Sequence, residues 1–362
     1  MNLVETDSQS AISIFQLTDG PRPADNIYGE QPYSSSVSDR IAVRFYPANG
    51  QDGELAVLDL ESGEIHTVIT GKPRFPAFHG WGHHLYNQEE VDGELLLRRW
   101  DWDTLAREDV VELPRTEGRL SYGTVSSDAA HFAVSVVRPD ETRTVLHVDL
   151  GSGDTRTLAD ARSVDHPGGE GRAYHFKHEQ FSRDGMNRVL IQANVIPEVQ
   201  EVHLGTLEPG STGMTRLACD QPWTPRPTGH EAWVGTTSRI FFSTAYDTQK
   251  RTNLFTVDVG AAEPEVVVET GKRFGHVSVS RCGSFWIADA TAEEGVPIYA
   301  GRLGSGSMRQ VITSRTVHDG QQWSHTHPYL TAENRWLIFT STRAGQPQVF
   351  GAQIPDDFWQ SL

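Results

Sequence analysis

The chain has 362 residues, a formal net charge of −17 and 9% aromatic residues. That length is ample for a buried core, in two domains or in one large all-β domain. An acid excess of this size repels phosphate backbones, which argues against a nucleic-acid partner, and no apolar run approaches the ~20 residues that a membrane helix needs.

The first residues, from Met1 to Asp7, have neither a basic start nor an apolar core, so no secretory signal is read there. Cys219 and Cys282 are the only cysteines. Two thiols in so long a chain do not form a disulfide framework, and a reducing, cytoplasmic setting is expected. A monomer or dimer is the expected assembly.

Turn signals recur every ~40–55 residues between short apolar or alternating strands, the period of a propeller blade of about four strands. The inner-strand starts align as Gln31-Pro32-Tyr33-Ser34, Pro76-Ala77-Phe78-His79, Ser121-Tyr122-Gly123-Thr124, Lys177-His178-Glu179-Gln180, Gly229-His230-Glu231-Ala232, Gly275-His276-Val277-Ser278 and Thr326-His327-Pro328-Tyr329. Apolar second strands follow most of them, such as Phe132-Ala133-Val134-Ser135-Val136 and Trp336-Leu337-Ile338-Phe339. The fold class predicted is all-β, a single seven-bladed β-propeller over residues 1–362. The last unit ends near Gln353 one strand short, and residues 11–17 are expected to supply the missing strand, closing an otherwise exposed edge.

In this alignment His178, His230, His276 and His327 share one repeat position, with His79 and Tyr122 within about one residue of it. Inner strands converge on the central channel, so these groups are expected to face one funnel. Against this stands the bland reading, in which such histidines only hydrogen-bond within their blades. His83, His84, His131, His147 and His318 fall outside the register and are assigned surface or packing roles. Trp233, Trp286 and Trp336 are assigned to the core.

The densest chemistry lies in Gln322-Trp323-Ser324-His325-Thr326-His327-Pro328. His325 and His327 are two apart, so on an extended strand they point to one side. Gln322 lies just before that strand. Imidazole nitrogen and amide oxygen are both metal ligands, so a divalent-ion site is predicted.

These segments resemble the oligogalacturonate lyases, which are seven-bladed propellers. The likeness rests on Gly229-His230-Glu231-Ala232-Trp233, Gly275-His276-Val277-Ser278-Val279-Ser280, Gln322 to Pro328 and Phe339-Thr340-Ser341, and more weakly on Ser121 to Thr124. The resemblance implies a manganese-type ion on His276, Gln322, His325 and His327, with His230 as catalytic base. Zn, Ni, Fe or Ca remain open as the ion. The family's substrate-binding Arg has no counterpart in the run from Pro197 to Leu204, and Arg226 in Pro225-Arg226-Pro227 is the candidate replacement. The N-terminal half, with Tyr28 to Tyr33, is also similar to lyases that release a rhamnose-capped sugar from glucuronate. That likeness implies active-site roles for His79, Tyr122 and Arg138.

The expected activity is β-elimination on a uronate-containing oligosaccharide. His230 takes the C5 proton, and Tyr122 either protonates the leaving oxygen or binds the sugar. His79, Arg138, His178 and Arg226 are the candidate substrate contacts. Neutral ligands leave the ion its full charge for the substrate carboxylate. An acidic oligosaccharide is the expected partner, cleaved at galacturonate or, alternatively, at glucuronate. The rival from another class is a non-catalytic propeller that binds proteins or sugars.

Overall fold

The structure is a computed structural model that describes residues 1–362 except 7–9, 37–38, 49, 72–75, 162–172, 197–201, 212 and 319. Among the described residues it is an all-β propeller, with one 3-10 turn at Gln322–Ser324 and one short helix at Asp356–Gln360. No helix of the described residues is long and apolar enough to cross a membrane.

The strands form six sheets. Four are four-stranded antiparallel meanders, beginning at Ala24–Asp25, Ala173–Phe181, Pro227–Trp233 and Val277–Val279. An eight-stranded sheet joins two meanders through a short parallel contact, with Thr124 opposite Phe78 and Val125 opposite His79. The sixth sheet takes its last strands from the start of the chain. Ser13–Gln16 pairs antiparallel with Gln348–Gln353, and Asn2–Thr6 pairs with Ser13–Gln16 outside it.

Second and third strands are apolar on both faces because each sheet is covered on both sides by neighbours. Leu337, Ile338 and Phe339 are all fully buried, although they alternate in direction. The apolar cores accordingly lie between sheets. Phe241 and Leu254 of one sheet meet Trp286 and Ala288 of the next. Trp233, Trp286 and Trp336 are all buried in such layers. The ring closes where Leu17 and Ile338 share a core with Ile41 and Ala56 of the first sheet.

The first sheet departs from the expected pattern. Gln31 to Ser34 is not a regular strand start. Asp25 pairs with Arg44 and Ser34 bridges Ile41, so residues 26–33 stand opposite only Ala42 and Val43. This oversized bulge runs inward and is almost wholly buried. It crosses to distant sheets: the Asn26 amide donates to the His327 carbonyl at 2.6 Å and the Gln31 amide to the Glu179 carbonyl at 2.9 Å. The repeat alignment missed the excursion because the contacts that hold it inward are made to residues far along the chain and leave no local mark.

Candidate active site

Smaller bulges repeat the device elsewhere. In three inner strands the ladder slips where extra residues face one partner. Ser121 and Tyr122 stand opposite Ser135, His178 and Glu179 opposite Ile191, and Thr228, Gly229 and His230 opposite Ser243. A bulge bends its strand and re-aims a side chain, so Tyr122, His178 and His230 reach the same cavity. His276 comes from the turn just ahead of its strand. The cavity has a volume of about 520 Å³, within the usual range for a small-ligand site, and is lined by Tyr28, Arg44, Tyr122, His178, His230, His276, Gln322 and His325, among others.

His276, His325 and His327 bring one nitrogen each within 4.8 Å of one another. His276 Nε2 lies 3.2 Å from His325 Nδ1, and the Gln322 amide lies 3.2 Å from His327 Nε2. A half-turn of that amide exchanges its oxygen and nitrogen, the oxygen being the ligand atom. The expected extended strand is absent here. Gln322 sits in the 3-10 turn, His325 is extended, and His327 has φ 42, with the next strand starting at Tyr329. A loop thus gathers the ligands, and Gly29 packs on its backbone. A Cβ at Gly29 would lie 2.8 Å from the His327 carbonyl carbon.

The donor set suits a divalent ion. Burial pushes His325 down to about 4 and His327 well below the ordinary imidazole value, so both rings stay neutral. Nδ1 of His327 is buried with no hydrogen-bond partner among the described residues. His276 differs: burial opposes its charge, but the Asp289 carboxylate, 2.8 Å from Nδ1, outweighs burial and raises it. Asp289 also accepts from the His276 backbone N–H at 2.8 Å. A carboxylate behind an imidazole fixes the ring and leaves Nε2 for an ion.

His230 faces this cluster, its ring centroid 4.7 Å from that of His276. Its Nδ1–H donates to Glu30 at 2.6 Å, and Glu30 is 2% exposed. Burial works against the Glu30 charge, yet His230 overcomes it and holds the carboxyl below its ordinary value. Glu30 thereby leaves His230 Nε2 as the basic atom. Sequence reasoning missed Glu30, which arrives on the inward bulge and meets His230 only through the fold.

Tyr122 accepts a hydrogen bond from Arg44 at 2.7 Å. Arg44, also missed, pairs with Asp25 at 2.7 Å. His178 has φ 63 and is held between Tyr28 at 3.0 Å and Glu231 at 3.2 Å. Burial raises the Glu231 carboxyl to about 8. His318, assigned to packing, stacks on His325 with centroids 5.0 Å apart.

Three expected substrate contacts lie elsewhere. His79 is level with Val125, three residues beyond Tyr122, and its ring is buried beneath Gly82 and beside Tyr86. The parallel register of Pro76–His79 carries it past the cavity. Arg138 is bound by Asp160 on an outer strand. Arg226 is exposed and outside the cavity lining. Of the run 197–204, where the missing Arg was sought, residues 197–201 fall outside the described residues. A larger groove of about 970 Å³ contains none of the predicted residues, and its Arg40 and Arg335 are neutralised by Asp59 and Asp39.

Compared with solved structures, the chain superposes on an oligogalacturonate lyase in complex with manganese. The TM-score is 0.77 at 17% identity, over 99% of this chain and 98% of that one. The chain resembles the oligogalacturonate lyases in structure. An oligogalacturonate lyase from Vibrio parahaemolyticus gives a TM-score of 0.73 at 16% identity, over 99% and 98% of the two chains. The β-propeller domain of the trilobed protease from Pyrococcus furiosus gives 0.56 at 11% identity, over 91% and 98%. At these identities the likeness is one of fold. No family model matches the sequence, and no curated protein matches it.

Proposed function

We propose that the protein is a metal-dependent lyase that cleaves uronate-containing oligosaccharides by β-elimination, on a single seven-bladed propeller closed by its N-terminal strand. The observation that carries the reading is the juxtaposition of a three-histidine cluster with a carboxylate-backed histidine in one cavity. The oligogalacturonate lyase fold, found in one case with manganese, supports it.

His276, His325, His327 and Gln322 would hold the ion. A divalent cation on neutral donors supplies Lewis-acid stabilisation of the charge that builds on the substrate carboxylate as C5 loses its proton. His230 Nε2 accepts that proton, and Glu30 stabilises the imidazolium that results. The C–H electron pair forms the C4–C5 double bond as the C4–O bond breaks. The departing oxygen takes its proton from Tyr122, whose hydroxyl is oriented by Arg44. Tyr28 and His178 shape the floor beside the sugar. The unsaturated ring end is diagnostic of this chemistry. Proton NMR of short galacturonides and glucuronides after incubation tests it directly: a vinylic C4–H signal supports the lyase, and saturated reducing ends alone would mark a hydrolase.

A further inference from the structure

A second carboxylate-backed pair stands behind Tyr122. Asp25 is fully buried and lies opposite Arg44 in the antiparallel pair that begins the first sheet. Cross-strand partners share a face, so their side chains meet. Arg44 Nη2 donates to Asp25 Oδ2 at 2.7 Å and Nε to Oδ1 at 3.2 Å, matching fork to fork. Tyr46, two residues on and so on the same side, donates its hydroxyl to Oδ2 at 2.7 Å. The Ile27 N–H donates to Oδ1 at 3.2 Å. Arg44 also lies over the Tyr46 ring, 4.9 Å from its centroid, and Trp323 packs on that ring with centroids 4.6 Å apart. Burial opposes the Arg44 charge, but Asp25 outweighs it and raises the guanidinium above its ordinary value.

The remaining arm, Nη1, reaches the Tyr122 hydroxyl of the eight-stranded sheet at 2.7 Å. A guanidinium has donors only and keeps its charge, so Tyr122 accepts from it. A hydrogen bond between two ions is stronger than one to a neutral group. The contact therefore strengthens as the Tyr122 oxygen turns from phenol to phenolate, which happens only as its proton leaves. Such a difference is transition-state stabilisation, and a guanidinium already locked by its neighbours needs no rearrangement to supply it.

We propose that Arg44 is a catalytic residue for departure of the C4 oxygen and that Asp25 is its positioning residue. This rests on the uronate-lyase reading with Tyr122 as proton donor. As the C4–O bond breaks, its electron pair goes to the departing oxygen, which takes the Tyr122 proton. The phenolate left behind faces Arg44 and recovers a proton from water once product has gone. The reaction is thus divided between Glu30–His230 for the C5 proton and Asp25–Arg44 for the leaving oxygen. Help at the leaving oxygen matters for an unactivated sugar alcohol and little for a group that departs as a stable anion.

The test compares two galacturonates that differ only at the C4 oxygen, one bearing a sugar and one a nitrophenyl group. Manganese-loaded protein is used, with metal content measured in each variant. Arg44→Met is expected to lower kcat on the sugar about 10²-fold, and on the nitrophenyl compound only about threefold. Asp25→Asn, which keeps the shape, should lose about tenfold on the sugar. Added to Arg44→Met it should lose nothing further, because Asp25 acts through Arg44. That double variant also leaves no unpaired charge in the buried pair, so folding is protected. Equal losses on both leaving groups, or losses that multiply in the double variant, would overturn the proposal, while unsaturated product from the parent upheld the lyase reading. Loss of the ion from Arg44→Met would overturn it too, by making the pair a support of the metal loop. No unsaturated product from the parent on either compound would overturn both.

Discussion

Glu30 and His230 are 200 positions apart in the chain and 2.6 Å apart in space. The first belongs to a buried excursion of the first sheet, the second to the bulge of a strand on the other side of the channel. Their contact sets which nitrogen of His230 is basic. Glu30→Gln keeps the shape but removes the charge that stabilises imidazolium. It is expected to lower kcat by about 10²-fold with KM and metal content little changed. A steady-state comparison with the parent checks this; an equal loss of metal would mean that Glu30 only supports the fold.

Gly29 has no room for a side chain against the His327 backbone. Gly29→Ala must push the excursion away from the loop that carries the histidines. Metal affinity is expected to fall by about tenfold or more, since misplaced ligands cost affinity in that range. A metal titration with a competing chelator would show it. A Tm change without any change in affinity would place the contact outside the metal centre.

The three rings also predict the proton balance of metal binding. His325, at about 4, and His327, also well below the ordinary imidazole value, are neutral at physiological pH, whereas Asp289 raises His276. An ion then displaces protons from His276 rather than from His325 or His327. Affinity should fall as pH drops through the His276 value, with a second loss near pH 4 from His325. Calorimetry in two buffers of different ionisation enthalpy measures the proton released. Asp289→Asn should reduce that release and weaken binding about 10–100-fold.

Glu231 gives a stability prediction of definite sign. Its folded value of about 8 lies above the ordinary ~4.3 for an unfolded chain. Between those values the folded state holds a proton that the unfolded state has lost. Stability therefore declines as pH rises through that window, by at most about 1.4 kcal/mol per pH unit from this group. Glu231→Gln should flatten the decline of Tm between pH 5 and 8 (both within that window). An unchanged slope would mean that another buried group carries it.

Much of this architecture was legible in the sequence because it repeats. The second and third strands, such as Val145 to Leu150 and Leu254 to Val259, read correctly because burial on both faces makes most of their residues apolar. The register of His178, His230, His276 and His327 was visible because the turn after each inner strand marks a fixed distance. Long-range events left no such mark. Nothing local says that Tyr28 and Glu30 leave the first sheet to meet His178 and His230. His79 misled because sequence distance to a turn does not record the parallel offset that takes it past Tyr122. Arg138 and Arg226 are plausible cations by type, but Arg44, Arg119, Arg143 and Lys177 are the ones that line the cavity.

The most direct test of the central claim is metal-dependent formation of an ultraviolet-absorbing unsaturated uronate. Protein stripped by chelator is given a short di-uronate, then titrated with manganese while absorbance is followed. The account predicts no product from stripped protein and a rate that rises until one ion is bound per chain. His327→Ala should stay inactive at the same manganese level. Product formation that ignores metal removal and survives His327→Ala would contradict the account.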